Sequence, residues 1–335
     1  MNLKVIAAGV LVCLTAGANA QNITGAGSTF IYPILSKWTN EFSQQHPNVR
    51  INYQSIGSGG GIRQVSEGTV DFGASDVTMT DEQIKAAKVK VIALPAVLGA
   101  VVPVYNIPGI NKDLNFSGDV IADIYLGKIS SWNDPRIVKD NPGVNLPNNP
   151  ILPVYRSDGS GTSFIFTDYL SKVSPAWNSG PGRGAAVKWP IGIGQKGNEG
   201  IAGMVRQTPN SFGYVELIYA VQNKMAYGSV KNLAGKYVKA STDTVTAAAA
   251  GAAKSMPSDY RISITNAPGT DAYPISSFSW LLIPTNFTDA AKCKSLVDFI
   301  GWVLDHGEAE AASLTYAPLP KQVQDMVRKS ITTIK

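Results

Sequence analysis

Short runs of β-branched and aromatic residues alternate along the chain with stretches in which apolar side chains recur every three or four positions, the pattern of an α/β protein. Arg50-Ile51-Asn52-Tyr53, Val70-Asp71-Phe72-Gly73-Ala74 and Ile151 to Arg156 read as strands. Ile31, Ile34, Leu35, Trp38 and Phe42 fall on one helical face, and Pro33 suits the first turn of that helix, where its missing N–H costs nothing. Thr80-Asp81-Glu82-Gln83 has the spacing of a capping box, with Thr80 as N-cap and Gln83 at N3. Ser160 to Leu170 predicts a further helix. Val91 to Val104 carries no charge, and Pro95 and Pro103 within it predict buried strands separated by a crossing. Near the end, Leu296, Val297, Ile300, Val303 and Leu304 form a stripe at helical spacing, which predicts core packing. No repeat, heptad or low-complexity tract interrupts this order.

The first residues follow another rule. Lys4 precedes an uncharged apolar stretch from Val5 to Gly17, and Ala18-Asn19-Ala20 has the form of a leader cleavage site. The stretch is shorter than the roughly 20 residues that span a bilayer. Residues 1–20 are therefore read as a signal peptide and Gln21 as the first mature residue. Beyond the leader, Cys293 is the only cysteine, so an exported chain without an intrachain disulfide is expected.

Composition narrows the class further. At 335 residues, two domains are the default. Hydrophobic residues at 44% exclude both a disordered chain and a multi-span membrane protein. The net charge of +5 is modest, and no nucleic-acid partner is expected. With two His and two Cys in all, no metal centre built from those residues is expected.

Three segments share one design, in which glycines and small polar residues link a strand to a helix. They are Thr24-Gly25-Ala26-Gly27-Ser28-Thr29-Phe30, Ile56-Gly57-Ser58-Gly59-Gly60-Gly61 and Arg156-Ser157-Asp158-Gly159-Ser160-Gly161-Thr162-Ser163. The first turn of a helix leaves N–H groups unpaired and carries partial positive charge, which attracts an anion. Glycine admits close approach, and hydroxyls add donors without bulk. Arg156 supplies a planar fork that matches a tetrahedral oxyanion. Each loop alone reads as a capped helix start; three of them beside one arginine read as an oxyanion site. Asp76 suits either a turn cap or that site.

Two motifs bear on nucleotide binding. No G-x-x-x-x-G-K-[ST] occurs, so no P-loop ATP site is expected. Gly192-Ile193-Gly194-Gln195-Lys196-Gly197 matches G-x-G-x-x-G. However, Pro190 and Pro209 flank it closely and it falls late in the chain, so it reads as a chance match.

The three loops, together with Asp71-Phe72-Gly73-Ala74-Ser75-Asp76, Asp123-Ile124-Tyr125-Leu126-Gly127-Lys128-Ile129 and Trp189-Pro190-Ile191-Gly192, resemble segments of the periplasmic phosphate-binding proteins of Pst-type ABC transporters, the PstS family. The resemblance covers nearly all of the mature chain. It implies an α/β fold of two lobes, a type II (Venus-flytrap) periplasmic binding protein with a hinge. One lobe would combine residues 21–95 with 275–335, the other would be 96–274, and the crossings would lie near Pro95 and Asp271-Ala272-Tyr273-Pro274. Carried over by position, Thr29, Phe30 (through its N–H), Ser58, Arg156, Ser160, Gly161 and Thr162 would donate to phosphate. Asp76 would accept the proton of a protonated phosphate oxygen, and Asp158 would hold Arg156 in place. Ser28 stands where the family often has Ala, and Gly59 where it often has Ser; neither change removes an assigned donor.

The implied function is capture of inorganic phosphate by a periplasmic monomer that delivers it to membrane-embedded ABC permease subunits. No catalytic residue, metal or cofactor is expected. The alternatives are a secreted phosphatase, which would hydrolyse a chromogenic phosphate ester, and a sulfate or oxyanion-metal receptor, in which sulfate would compete with phosphate.

Overall fold

The computed structural model describes residues 21–110 and 112–335, so the leader expected over residues 1–20 lies outside the described residues. The chain opens with β1 (Gln21–Gly27), α1 (Tyr32–Gln45), β2 (Val49–Ser55), α2 (Ser58–Glu67), β3 (Phe72–Ser75) and α3 (Asp81–Ala86). A long strand β4 (Val91–Asn106) then leads to β5 (Asn115–Phe116), α4 (Gly118–Tyr125), α5 (Pro135–Asp140), β6 (Leu152–Arg156), α6 (Gly161–Val173) and α7 (Pro175–Ser179). After these come β7 (Ile193–Gln195), α8 (Gly197–Gln207), β8 (Ser211–Glu216) and α9 (Leu217–Gln222). Three short strands, β9 (Ala226–Tyr227), β10 (Ser229–Lys231) and β11 (Tyr237–Val238), precede α10 (Thr242–Ala249) and α11 (Ala252–Ser255). The chain returns through β12 (Ser276–Pro284) and ends in α12 (Ala290–Trp302), α13 (Glu308–Glu310) and α14 (Lys321–Ile331).

The strands order as β2-β1-β3-β12-β4-β8-β6-β7, with β9 also paired to β4, and β11-β10-β5 form a small separate sheet. Strands β1, β2 and β3 are parallel, whereas β12 runs antiparallel to both β3 and β4. On the far side of β4, β6 is parallel to β7 and β8, and β8 is antiparallel to β4.

One strand serves both lobes. The first part of β4, up to Ala100, pairs with β12, and from Val101 onward it pairs with β8. The prolines expected to divide this run lie inside it. Pro95 sits at the irregularity beside Ser279 and Trp280, where a bulge removes the need for its missing N–H. From Leu94 to Tyr105 every residue of β4 is buried, as suits a strand covered on both faces.

Local signals account for several elements. Thr80 and Gln83 form the reciprocal capping box of α3, with Gln83 N donating to Thr80 Oγ1 over 3.2 Å and Thr80 N donating to Gln83 Oε1 over 2.9 Å. Ile34, Leu35, Trp38 and Phe42 of α1 are buried. Leu296, Ile300, Val303 and Leu304 pack into the core, with Val297 half-buried against it. Gly192–Gly197 links a strand to a helix, β7 to α8. Pro190 and Pro209 lie outside the two elements, where they cost nothing.

Candidate functional site

Five strand ends converge on one region. The loops leaving β1, β2, β3, β6 and β7 at their carboxyl ends all open there, the position where open α/β sheets bind ligands. Thr29, Phe30, Ser58 and Asp76 follow β1, β2 and β3, whereas Arg156 ends β6 and Ser160, Gly161 and Thr162 open α6; all eight are buried. The two sets meet: a Cβ on Gly161 would lie 2.5 Å from both Asp76 Oδ2 and Ser58 Oγ, across the lobe boundary. Among the described residues, no group of three or more His, Cys, Asp or Glu could hold a metal ion, and no helix is long and apolar enough to cross a membrane.

Arg156 ends β6 and is 2% exposed. Its Nε and Nη2 donate to Asp158 Oδ1 and Oδ2 over 2.7 and 2.5 Å, and Nη1 reaches Thr29 Oγ1 at 3.4 Å. A guanidinium has five protons, so Asp158 leaves the Nη1–Nη2 edge for other acceptors. Burial works against the charge of Asp158, yet the Arg156 guanidinium holds its carboxyl below the usual range. Ser160 caps α6, its Oγ accepting from Ser163 N over 3.0 Å. In that first turn, the N–H groups of Gly161 and Thr162 have no protein acceptor among the described residues.

Asp76 faces this arrangement from the first lobe. Its Oδ1 accepts from Ser279 Oγ over 2.6 Å, and its Oδ2 accepts from Ser28 Oγ over 2.5 Å and Ser58 Oγ over 3.2 Å. Burial pushes the Asp76 carboxyl up to about 6, while the hydroxyls of Ser279, Ser28 and Ser58 and the charge of Arg156 pull it down. The Phe30 N–H, expected to face the ligand, donates to Ser28 Oγ over 2.9 Å. Ser28 therefore does more than stand in for a smaller residue: it ties a backbone donor to the carboxylate.

Three residues outside the expected set also shape the site. Ser279 comes from β12, a buried strand whose three serines, Ser276, Ser277 and Ser279, were the available signal. The Tyr219 hydroxyl, on α9, donates to Thr29 O over 2.6 Å across the lobes. Asn198, in the first turn of α8, is fully buried and donates through Nδ2 to Thr29 Oγ1 over 2.7 Å and Thr162 Oγ1 over 3.1 Å. Its signal was the glycine-bounded turn at Gly192–Gly197, whose Gly197 N–H donates to Asp158 Oδ1 over 3.3 Å.

The pattern described as a PBP superfamily domain matches residues 15–305. The phosphate-binding protein PstS of Xylella fastidiosa (strain Temecula1) is 46% identical over 299 residues, 89% of this chain and 81% of that protein. That of Haemophilus influenzae is 43% identical over 317 residues, 94% of each. Among solved structures, a high affinity periplasmic phosphate-binding protein (PfluDING) bound with phosphate superposes with a TM-score of 0.73 at 20% identity, covering 92% of this chain and 94% of that one. A putative phosphate ABC transporter substrate-binding protein with bound phosphate from Clostridium perfringens gives 0.66 at 20% identity, covering 90% and 100%.

Proposed function

The chain belongs to the PstS phosphate-binding family within the PBP superfamily, and on that premise we propose that its interlobe cradle captures inorganic phosphate for delivery to an inner-membrane ABC permease. The family consists of solute-binding proteins rather than enzymes, so the site holds its ligand without making or breaking a bond. Thr29, Ser58, Arg156, Ser160, Gly161 and Thr162 are the proposed donors, Asp76 the acceptor, and Asp158 the residue that orients Arg156; Phe30, whose N–H is held by Ser28 Oγ, would donate only on release from it.

One observation carries the ligand assignment: a single buried carboxylate, Asp76, faces a cradle otherwise lined by donors. An anion meets the guanidinium edge and the helix N-termini favourably. Only an anion that still carries a proton also satisfies Asp76, and phosphate does at neutral pH whereas sulfate does not. Calorimetric titration tests this directly: tight binding of phosphate and none of sulfate is expected. Equal affinity for the two would overturn the reading in favour of a general oxyanion receptor.

The same proposal includes export through residues 1–20, action in the periplasm as a monomer, and lobes made of residues 21–95 with 275–335 and of residues 96–274. Its hinge would lie where β4 exchanges β12 for β8 at Ala100–Val101. The return crossing runs alongside at Ile275–Ser276, and Val101 N donates to Ile275 O over 2.9 Å.

A further inference from the structure

Asn198 makes four hydrogen bonds and has no freedom left. Its Oδ1 accepts from the backbone N–H of Glu216 over 2.9 Å, and because an N–H can only donate, this contact fixes which end of the amide is oxygen. The Nδ2 end then faces Thr29 Oγ1 and Thr162 Oγ1, one hydroxyl from each lobe. The backbone N–H of Asn198 also donates to Thr29 Oγ1, over 3.2 Å. Thr29 Oγ1 thus accepts twice from Asn198 and once, more distantly, from Arg156 Nη1. A hydroxyl has two lone pairs and one proton. With its lone pairs occupied, the Thr29 proton can only point outward as a donor. Thr162 is biased the same way by the second Nδ2 proton.

We infer that Asn198 is a positioning residue that sets the hydrogen-bond polarity of the cradle, turning Thr29 and Thr162 into obligate donors toward a ligand rich in acceptors. The inference rests on the phosphate reading above. Glu216, whose N–H anchors the amide, is itself fully buried and keeps its carboxyl oxygen Oε2 on Ile218 N, over 2.7 Å. The anchor is therefore rigid. Asn198→Asp is nearly isosteric and still accepts from Glu216 N, but its second oxygen would draw both hydroxyl protons away from the ligand.

The test is a set of phosphate titrations on the full mature protein. Wild type is expected to bind phosphate. Asn198→Ala, which frees the Thr162 hydroxyl and leaves Thr29 Oγ1 held only by the longer contacts from the backbone N–H of residue 198 and Arg156 Nη1, should bind roughly tenfold more weakly, and Asn198→Asp more weakly still. A Thr29→Val, Thr162→Val double variant removes the hydroxyls through which Asn198 acts. In that background Asn198→Ala should change affinity less than about twofold, since only its packing remains. Ligand-free melting of each variant identifies any that fail to fold. For those, Asn198→Ser replaces Asn198→Ala in both backgrounds.

If Asn198→Ala costs the same factor with and without the two hydroxyls, the polarity role is wrong while phosphate binding stands. If the folded wild type binds no phosphate, the functional reading fails and this inference fails with it.

Discussion

An ionised carboxylate offers about four lone-pair positions, and Ser28, Ser58 and Ser279 occupy three of those on Asp76. One position remains for a proton brought by the ligand. A site that requires such a donor rejects an analogue lacking it by roughly 10⁴–10⁵. Asp76→Asn should narrow the phosphate-to-sulfate preference sharply, because its amide can turn N–H toward sulfate; an unchanged ratio of the two dissociation constants would remove Asp76 from this role. The same logic gives a pH dependence. Below about 6 the Asp76 carboxyl takes up a proton and becomes a donor, so sulfate binding by wild type should strengthen as pH falls through that value and stay weak above it. At Arg156 the prediction concerns shape as well as charge. Arg156→Lys keeps the charge but loses both the Asp158 pair and the remaining donor edge, and phosphate affinity should fall at least about tenfold. Wild-type affinity in that variant would show that the fork is not used.

At the scale of elements, the glycine-rich turns serve the contact between lobes as much as any ligand. Gly59 N donates to Gly159 O over 2.9 Å, and a Cβ on Gly59 would lie 3.2 Å from Gly159 Cα. Gly57, with φ of 87°, holds a backbone conformation that favours glycine, and a Cβ there would sit 2.5 Å from Asp158 Oδ2. The start of α6 and the start of α2 can come together only because these side chains are absent. Gly161→Ala places a methyl group against Asp76 and Ser58, so the lobes should no longer meet around the ligand. Phosphate affinity is expected to drop by more than about tenfold, while the ligand-free melting temperature changes little, since the clash arises only on closure. Equal loss of ligand-free stability would instead mark Gly161 as part of a permanent core.

For the molecule as a whole, the proposed lobes touch at the cradle, through Tyr219 to Thr29, Asn198 to Thr29 and Gly59 to Gly159, and away from it, through Arg261 to Asp81 and Tyr260 to Ser330. A ligand touching both lobes stabilises the form in which all of them are made. Small-angle scattering should therefore show a smaller radius of gyration with phosphate than without, and identical profiles at saturation would count against hinge closure. Far from the cradle, Glu308 is a second global determinant. Its Oε2 accepts from Leu319 N over 2.8 Å, its Oε1 is buried without a partner, and burial pushes its carboxyl up to about 8. A carboxyl whose folded value lies above its unfolded value of about 4.3 stabilises the fold most when neutral, and that contribution is lost as pH rises through about 8. Glu308→Gln stays neutral throughout. Its melting temperature relative to wild type should therefore climb with pH across that window, whereas a flat difference would mean that Glu308 does not titrate there.

Much of the site could be read from residues near one another in the chain. Ser160 caps its own helix, Thr80 and Gln83 cap theirs, Asp158 pairs with Arg156 two residues away, and the stripe from Leu296 to Leu304 turns inward. Such features depend on spacing within a few turns, and spacing is visible in a sequence. The remainder came from segments far apart in the chain. Pro95 looked like an end to a strand because its missing N–H was visible and the bulge opposite Trp280, supplied by β12, was not. Phe30 N–H looked like a ligand donor because nothing local showed Ser28 turned between it and Asp76. Beyond the glycine-bounded turn before it, Asn198 gave no sign of its partners, since its hydrogen bonds join Thr29, Thr162 and Glu216 only after three strands have brought their loops together. Which residues carry donors and charge was set by the sequence alone. Which donors stay available to a ligand was settled by long-range packing, because a hydrogen-bonding group spent on a distant partner looks the same in the sequence as one left free.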